Sequence, residues 1–216
     1  MTFTGIPLAA LDFYEDLEAD NSKAFWTAHK EVYDEEVRAP LEALAVALTP
    51  EFGPAKFFRP YRDVRFARDK TPYKTHQGIW FAATSRYLHV SAAGLFVAGG
   101  YWSTSSTQVE RLRRAVADDI AGAELARAVT TIASSGLELG GSRLTRVPAG
   151  YAKDHPRAQL LRHRSMVVSR DFGCPAWLSS KRAKTEITKT WRFMAPVIDW
   201  LDSHVGADPK IDAQSI

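Results

Sequence analysis

The chain reads as an α+β protein in which an antiparallel sheet, a meander plus flanking strands, is covered on one face by helices. Three observations predict this. Apolar residues recur at helical spacing near both ends, at Leu8, Leu11, Tyr14 and Leu17 and again at Ile187, Trp191, Met194, Ile198 and Leu201. Between them lie three short apolar runs separated by turn residues, at 78–82, 87–92 and 95–98, the pattern of consecutive hairpin strands. Finally, 216 residues with 45% hydrophobic and 11% aromatic side chains are enough to bury a substantial core. A single domain over residues 1–205 with a flexible tail over 206–216 is expected, because the tail has little to bury.

Each element has a local reason. Pro7 suits the start of the first amphipathic helix, whose polar positions carry Asp12, Glu15, Asp16 and Glu18. Asn21 or Ser22 serves as the cap of a second helix with Phe25, His29, Val32, Tyr33 and Val37 at helical period, and Pro40 kinks or restarts it before Leu41, Leu44 and Leu48. From Lys56 the period changes to two: Phe58, Pro60, Arg62, Val64 and Phe66 fall on one strand face, and Pro60 makes the strand an edge or irregular one. In the meander Leu88 and Val90 face the core, while Tyr87, His89 and Ser91 face away. Thr107 and Glu110 match a capping box, and a further helix spans 123–134 before Gly136. Residues 142–147 and 165–169 read as strands, Asp154 and Pro156 as the start of a short helix, and a long helix begins near Ser180, kinked by Pro196.

Composition excludes several classes. A lone Cys174 rules out an internal disulfide framework and any multi-cysteine metal site, and it fits a reducing compartment. No run of apolar residues is long enough to span a membrane, and the first 11 residues lack the basic start of a secretory signal. A cytoplasmic location is expected. The mean hydropathy is -0.23 and the net charge only +3, but the charge is unevenly placed. Residues 1–50 hold ten acids and three bases, residues 56–76 seven bases and two acids, and residues 143–170 seven bases and one acid. Brought together by folding, the two basic segments would form a patch that focuses field on an anion; paired with the acidic N-terminal helices, they would be neutral.

The richest stretch is Arg59-Pro60-Tyr61-Arg62-Asp63-Val64-Arg65-Phe66-Ala67-Arg68-Asp69-Lys70-Thr71-Pro72-Tyr73-Lys74. Arginine forks match carboxylate and phosphate oxygens, lysines add point charges, and Tyr61 and Tyr73 offer hydroxyl donors or stacking surfaces. Arg59, Tyr61, Arg62, Asp63, Arg65, Asp69, Lys70, Tyr73 and Lys74 are therefore candidate ligand contacts, with the two aspartates orienting arginines or, for Asp63, transferring a proton. The competing reading is a cross-strand salt network closed by a turn.

This segment, together with Gly94-Leu95-Phe96-Val97-Ala98-Gly99-Gly100-Tyr101 and Lys153-Asp154-His155-Pro156-Arg157-Ala158-Gln159-Leu160-Leu161-Arg162, closely resembles an uncharacterised family of bacterial and fungal proteins, domain of unknown function 2461. The resemblance extends from about Leu11 to Trp200. It implies that both basic segments belong to one recurring unit, and it brings no activity, substrate or cofactor with it.

His155 and Arg157 beside a helix start make a second candidate anion contact, against which stands simple helix initiation. The six histidines, His29, His76, His89, His155, His163 and His204, show no metal-ligand spacing, so no metal is expected. No serine sits in a nucleophile elbow, and Gly99-Gly100 is too short for a phosphate-binding fingerprint, so no cofactor is expected. Four functional readings follow. The first is a module binding an anionic small molecule, a phosphate or carboxylate. The second is the same surface on single-stranded nucleic acid, with Phe57, Phe58, Tyr61, Phe66 and Tyr73 stacking bases. The third is an enzyme acting on a phosphorylated or carboxylated molecule through Asp63 or His89, and the fourth a basic face docking an acidic protein.

Overall fold

The computed structural model describes residues 2–65 and 68–206. Helices α1 (Ala9–Ala19), α2 (Lys23–Ala28), α3 (Lys30–Val32) and α4 (Ala39–Phe52) precede strands β1 (Ala55–Phe57), β2 (His76–Phe81), β3 (Arg86–Ser91) and β4 (Gly94–Tyr101). Then come α5 (Ser106–Ala117), α6 (Asp119–Ser134), β5 (Glu138–Gly140), α7 (Ala158–Leu161), β6 (Met166–Gly173) and α8 (Arg182–His204). The strand order is β1-β2-β3-β4-β6-β5, with β1–β2, β2–β3 and β5–β6 antiparallel, so the class is the α+β one expected. Among the described residues no helix is long and apolar enough to cross a membrane.

The chain is organised as two compact units, Met1–Val97 with Asp171–Thr190 and Ala98–Arg170 with Trp191–Ile216. In the first, α1 packs on β3, and the side chains meeting there come from the core-facing positions of both periods. Tyr14 and Leu17 of α1 and Ile79, Phe81, Leu88 and Val90 of the sheet are all 2% exposed or less. Burial of this kind contributes roughly 1.5–3 kcal/mol for each large apolar side chain. The alternate positions of β3, Tyr87, His89 and Ser91, are half-buried, as the two-residue period predicts. The β3–β4 turn closes on Gly94 at φ +108°, where a side chain would strike the Gly173 carbonyl at 2.0 Å.

Ser22 caps α2, its hydroxyl accepting from Phe25 N at 3.1 Å. Residues Tyr33–Arg38 form a π-helical turn just before α4, which has Pro40 in its first turn. A proline there lacks an N–H and crowds the carbonyl one turn back, and the wider turn accommodates both. The long strand expected from Lys56 is not formed: β1 stops at Phe57, and among the described residues beyond it Tyr61 and Tyr73 pair in an isolated bridge. Pro60 interrupts the ladder, while Phe66 lies outside the described residues.

In the second unit the capping box is Ser105–Gln108, not Thr107–Glu110; Ser105 is the residue with extended backbone, so its hydroxyl is the one that reaches the N3 amide. Asp118 accepts from Ile120 N and Ala121 N, both at 2.9 Å, which starts α6 at Asp119 rather than near residue 123. The strand expected over 142–147 reduces to a bridge between Arg143 and His163, because Gly141 at φ +107° turns the chain after β5. The predicted Asp154 cap is also absent: Asp154 and Pro156 lie in turns, and the helix begins only at Ala158. The expected tail beyond Gly206 lies outside the described residues.

Candidate anion-binding site

Between β1 and β2 the chain leaves the sheet edge and returns as a closed loop. Lys74 N donates to the Pro60 carbonyl at 2.7 Å and Arg62 N to the Pro72 carbonyl at 2.9 Å, so the two prolines act as acceptors at the neck. Asn21 clamps the neck from outside: its amide donates to the Tyr73 carbonyl at 3.1 Å and its oxygen accepts from Tyr73 N at 3.0 Å. The Tyr73 ring stacks on Trp26 with centroids 4.4 Å apart and planes 8° from parallel. Tyr73, expected to orient a ligand, is thus a packing anchor only 4% exposed, whereas Tyr61 is 50% exposed.

Inside the loop each aspartate is paired with an arginine. Arg65 binds Asp63 through Nε at 3.0 Å and Nη2 at 2.7 Å, Arg62 binds Asp69 and Thr71, and Lys70 donates to the Val64 carbonyl at 2.9 Å. The side-chain hydrogen bonds from Arg65, then its backbone N–H, hold Asp63 down to about 2. For Asp69 the Thr71 amide acts first and Arg62 second, again to about 2. Asp63 is therefore an occupied, weakly basic carboxylate and a poor proton acceptor. Arg62, Arg65, Lys70 and both aspartates make their contacts within the loop, but not as a cross-strand network of Arg59, Asp63 and Arg65, since no strand forms here and Arg59 makes no ion pair among the described residues.

Arg59 and Lys74 differ. Among the described residues neither makes an ion pair with a carboxylate. The ion pairs of the acidic N-terminal helices are local, Lys30 with Asp34 and Arg38 with Glu42, and among the described residues none joins residues 1–50 to the basic segment. The Lys74 ammonium sits 5.1 Å from the centroid of the Phe58 ring. Burial, and after it the Arg59 charge, pushes Lys74 below the usual lysine value. Burial likewise lowers His76, with the Lys74 charge acting in the same direction. Arg59 thus lies close enough to Lys74 to disfavour the ammonium's charge, an arrangement that a bound anion would relieve.

These cations border a sheet face that is lined by aromatic rings. Opposed pairs on β2 and β3, His76 with Ser91, Gly78 with His89 and Trp80 with Tyr87, share this face, and β1 adds Lys56 opposite Trp80. Gly78 leaves room for its neighbours: a Cβ there would lie 2.7 Å from both the Tyr87 hydroxyl and Phe58. Around it the ring centroids run Phe58 to Tyr87 at 6.0 Å, Tyr87 to His89 at 5.6 Å, His89 to Phe96 at 4.8 Å and His76 to His89 at 4.9 Å. Burial brings His89 down to about 4, aided by His76 and opposed by Asp171, so its imidazole is neutral at pH 7. Its Nδ1 is buried without a hydrogen-bond partner. The same burial lifts the Tyr87 hydroxyl to about 12, keeping it protonated.

His76, Tyr87 and Phe96 were not among the predicted contacts, and Phe58 was named only as a ring that could stack a base. The available signal was the alternation in β3 that turned Tyr87 and His89 away from the core, followed across the strand to Gly78. A buried network positions Phe58: Tyr33 donates to Gln77 Oε1 at 2.5 Å, and Gln77 Nε2 donates to the carbonyls of Phe58 at 2.9 Å and Gly78 at 2.8 Å.

The second basic segment lies in the other unit, and its predicted contacts are engaged there. Arg157 donates to the carbonyls of Val116, Ala117 and Asp118 at 2.7, 3.0 and 3.1 Å, closing the C-terminus of α5, and its side chain is 12% exposed. His155 Nδ1 accepts from Arg157 N at 3.0 Å, which shapes the turn before α7. Arg162 donates to the Leu144 carbonyl at 2.8 Å and to Gln159 at 2.9 Å. No group of three His, Cys, Asp or Glu side chains able to hold a metal ion occurs among the described residues.

No curated protein and no solved structure gives a significant match to this chain. A family model does, that of the conserved hypothetical protein family DUF2461, over residues 9–200. That span holds the loop, the sheet and the Arg157 turn, which carry the three sequence segments of the resemblance, and the chain belongs to the DUF2461 family.

Proposed function

We propose that the protein binds a small anionic ligand, a phosphate or carboxylate, at the Arg59–Lys74 corner of the first unit. The observation that carries this reading is the pair of neighbouring cations, Arg59 and Lys74, without a carboxylate partner at the edge of the aromatic sheet face, while both aspartates of the segment are taken by Arg62 and Arg65. Ion networks that only hold a loop need opposite charges in contact, as Arg65 and Asp63 are; Arg59 and Lys74 have no such contact. Lys56, on the same sheet face, adds positive potential. The test is thermal denaturation at constant ionic strength with inorganic phosphate, sulfate or citrate added, since a ligand bound by the folded state alone raises the melting temperature. The wild type and Arg65→Ala should both be stabilised, whereas Arg59→Ala and Lys74→Ala should lose the shift. Equal stabilisation of all four proteins would refute the assignment.

A further inference from the structure

Resting on that reading, we infer that the ligand is a planar aromatic or heteroaromatic anion of nucleotide type, its charged group at Arg59 and Lys74 and its ring on the aromatic face around Gly78. The geometry is continuous. Lys74 lies over Phe58 at 5.1 Å, Phe58 meets Tyr87 at 6.0 Å, and His89 stacks on Phe96 at 4.8 Å with planes 17° apart. His76 closes the circuit, 4.9 Å from His89 and two residues along the chain from Lys74. One site therefore joins unpaired positive charge to an aromatic surface within a few ångströms.

Each part suits a planar body. Phe58, Tyr87, His89 and Phe96 are half-buried, so ring surface remains at the protein exterior. Gly78 has no side chain to separate Phe58 and Tyr87, and a Cβ there would meet both at 2.7 Å. The glycine lets two rings close over the strand as a low floor. The imidazole of His89 is uncharged at pH 7 and stacks on Phe96, so it adds a flat neutral ring to the surface. A compact inorganic anion would use the cationic corner and leave this surface idle; a ring carried a few bonds from a phosphate would use both.

Isothermal titration of the full chain with adenosine 5′-monophosphate, phenyl phosphate, ribose 5-phosphate and inorganic phosphate tests this. Adenosine 5′-monophosphate and phenyl phosphate should bind about tenfold tighter than the two non-aromatic phosphates. Preference for the nucleotide over phenyl phosphate would specify a heterocycle, and equal binding a simple aryl group; both outcomes support a planar ligand. Phe96→Leu should erase the advantage and leave phosphate binding unchanged. A wild-type measurement guards against a misfolded variant: the imidazole resonances of His76 and His89 should move with adenosine 5′-monophosphate and stay fixed with ribose 5-phosphate. Equal affinity for all four ligands, or unmoved imidazoles, overturns the aromatic reading and spares the cationic corner. No binding of any phosphate overturns both.

Discussion

His89 is a neutral imidazole among aromatic rings, and its protonation opposes folding. Its value is about 4 in the folded protein against an ordinary 6.5, so between these pH values the unfolded chain binds the extra proton. The sign follows: stability is fully present above pH 6.5, declines as pH falls, and stops declining through this residue below about 4. The full effect is on the order of 3 kcal/mol by linkage, and His76, lowered by burial and Lys74, adds to it in the same direction. Asp63 and Asp69 act at lower pH, since both are held near 2. Urea denaturation from pH 7 to 4 should therefore show a fall that His89→Gln reduces, with His76 and His163, both lowered by burial, keeping a remainder. An unchanged slope in that variant would show that His89 does not titrate as described. Arg157 shows another use of a cation, its guanidinium on three helix-end carbonyls acting as a structural cap.

Among the elements, the closed loop and the π-helical turn are joined through Gln77, which is 1% exposed. Its side chain links Tyr33, in the turn, to the carbonyls of Phe58 and Gly78. Gln77→Leu leaves the Tyr33 hydroxyl and the Phe58 carbonyl in need of partners, and should cost about 3 kcal/mol in urea denaturation. Tyr33→Phe combined with it should cost less than the two changes summed, because they remove opposite ends of one bond. Strict additivity would contradict a shared network. Much of this level was legible beforehand. Alternation placed Leu88 and Val90 inside and Tyr87 and His89 outside, because a strand has a fixed two-residue period. Cap positions were less legible: Ser103 to Thr107 offers five consecutive hydroxyl residues, and only the backbone angles single out Ser105. The loop was missed because Pro60 and Pro72 accept hydrogen bonds across a neck that residue spacing does not reveal.

For the whole molecule, a net charge of +3 conceals where positive potential is left uncompensated. The acidic residues of the N-terminal helices might have neutralised the basic segment; their ion pairs instead stay within single helical turns. Which cations remain unpaired is a tertiary property, so the sequence could nominate Arg59, Arg62, Arg65, Lys70 and Lys74 together but not separate them. The difference between the cations held by contacts inside the loop and the neighbouring pair Arg59 and Lys74 is the basis of the proposed binding site. It is tested most directly by following the Lys74 side-chain resonances through a pH titration with and without inorganic phosphate at constant ionic strength. An anion bound at Arg59 and Lys74 favours the charged ammonium, so phosphate should raise the depressed Lys74 titration midpoint, saturably, while leaving Lys70 unchanged. A Lys74 midpoint indifferent to phosphate, or one that moves in step with Lys70, would contradict the account.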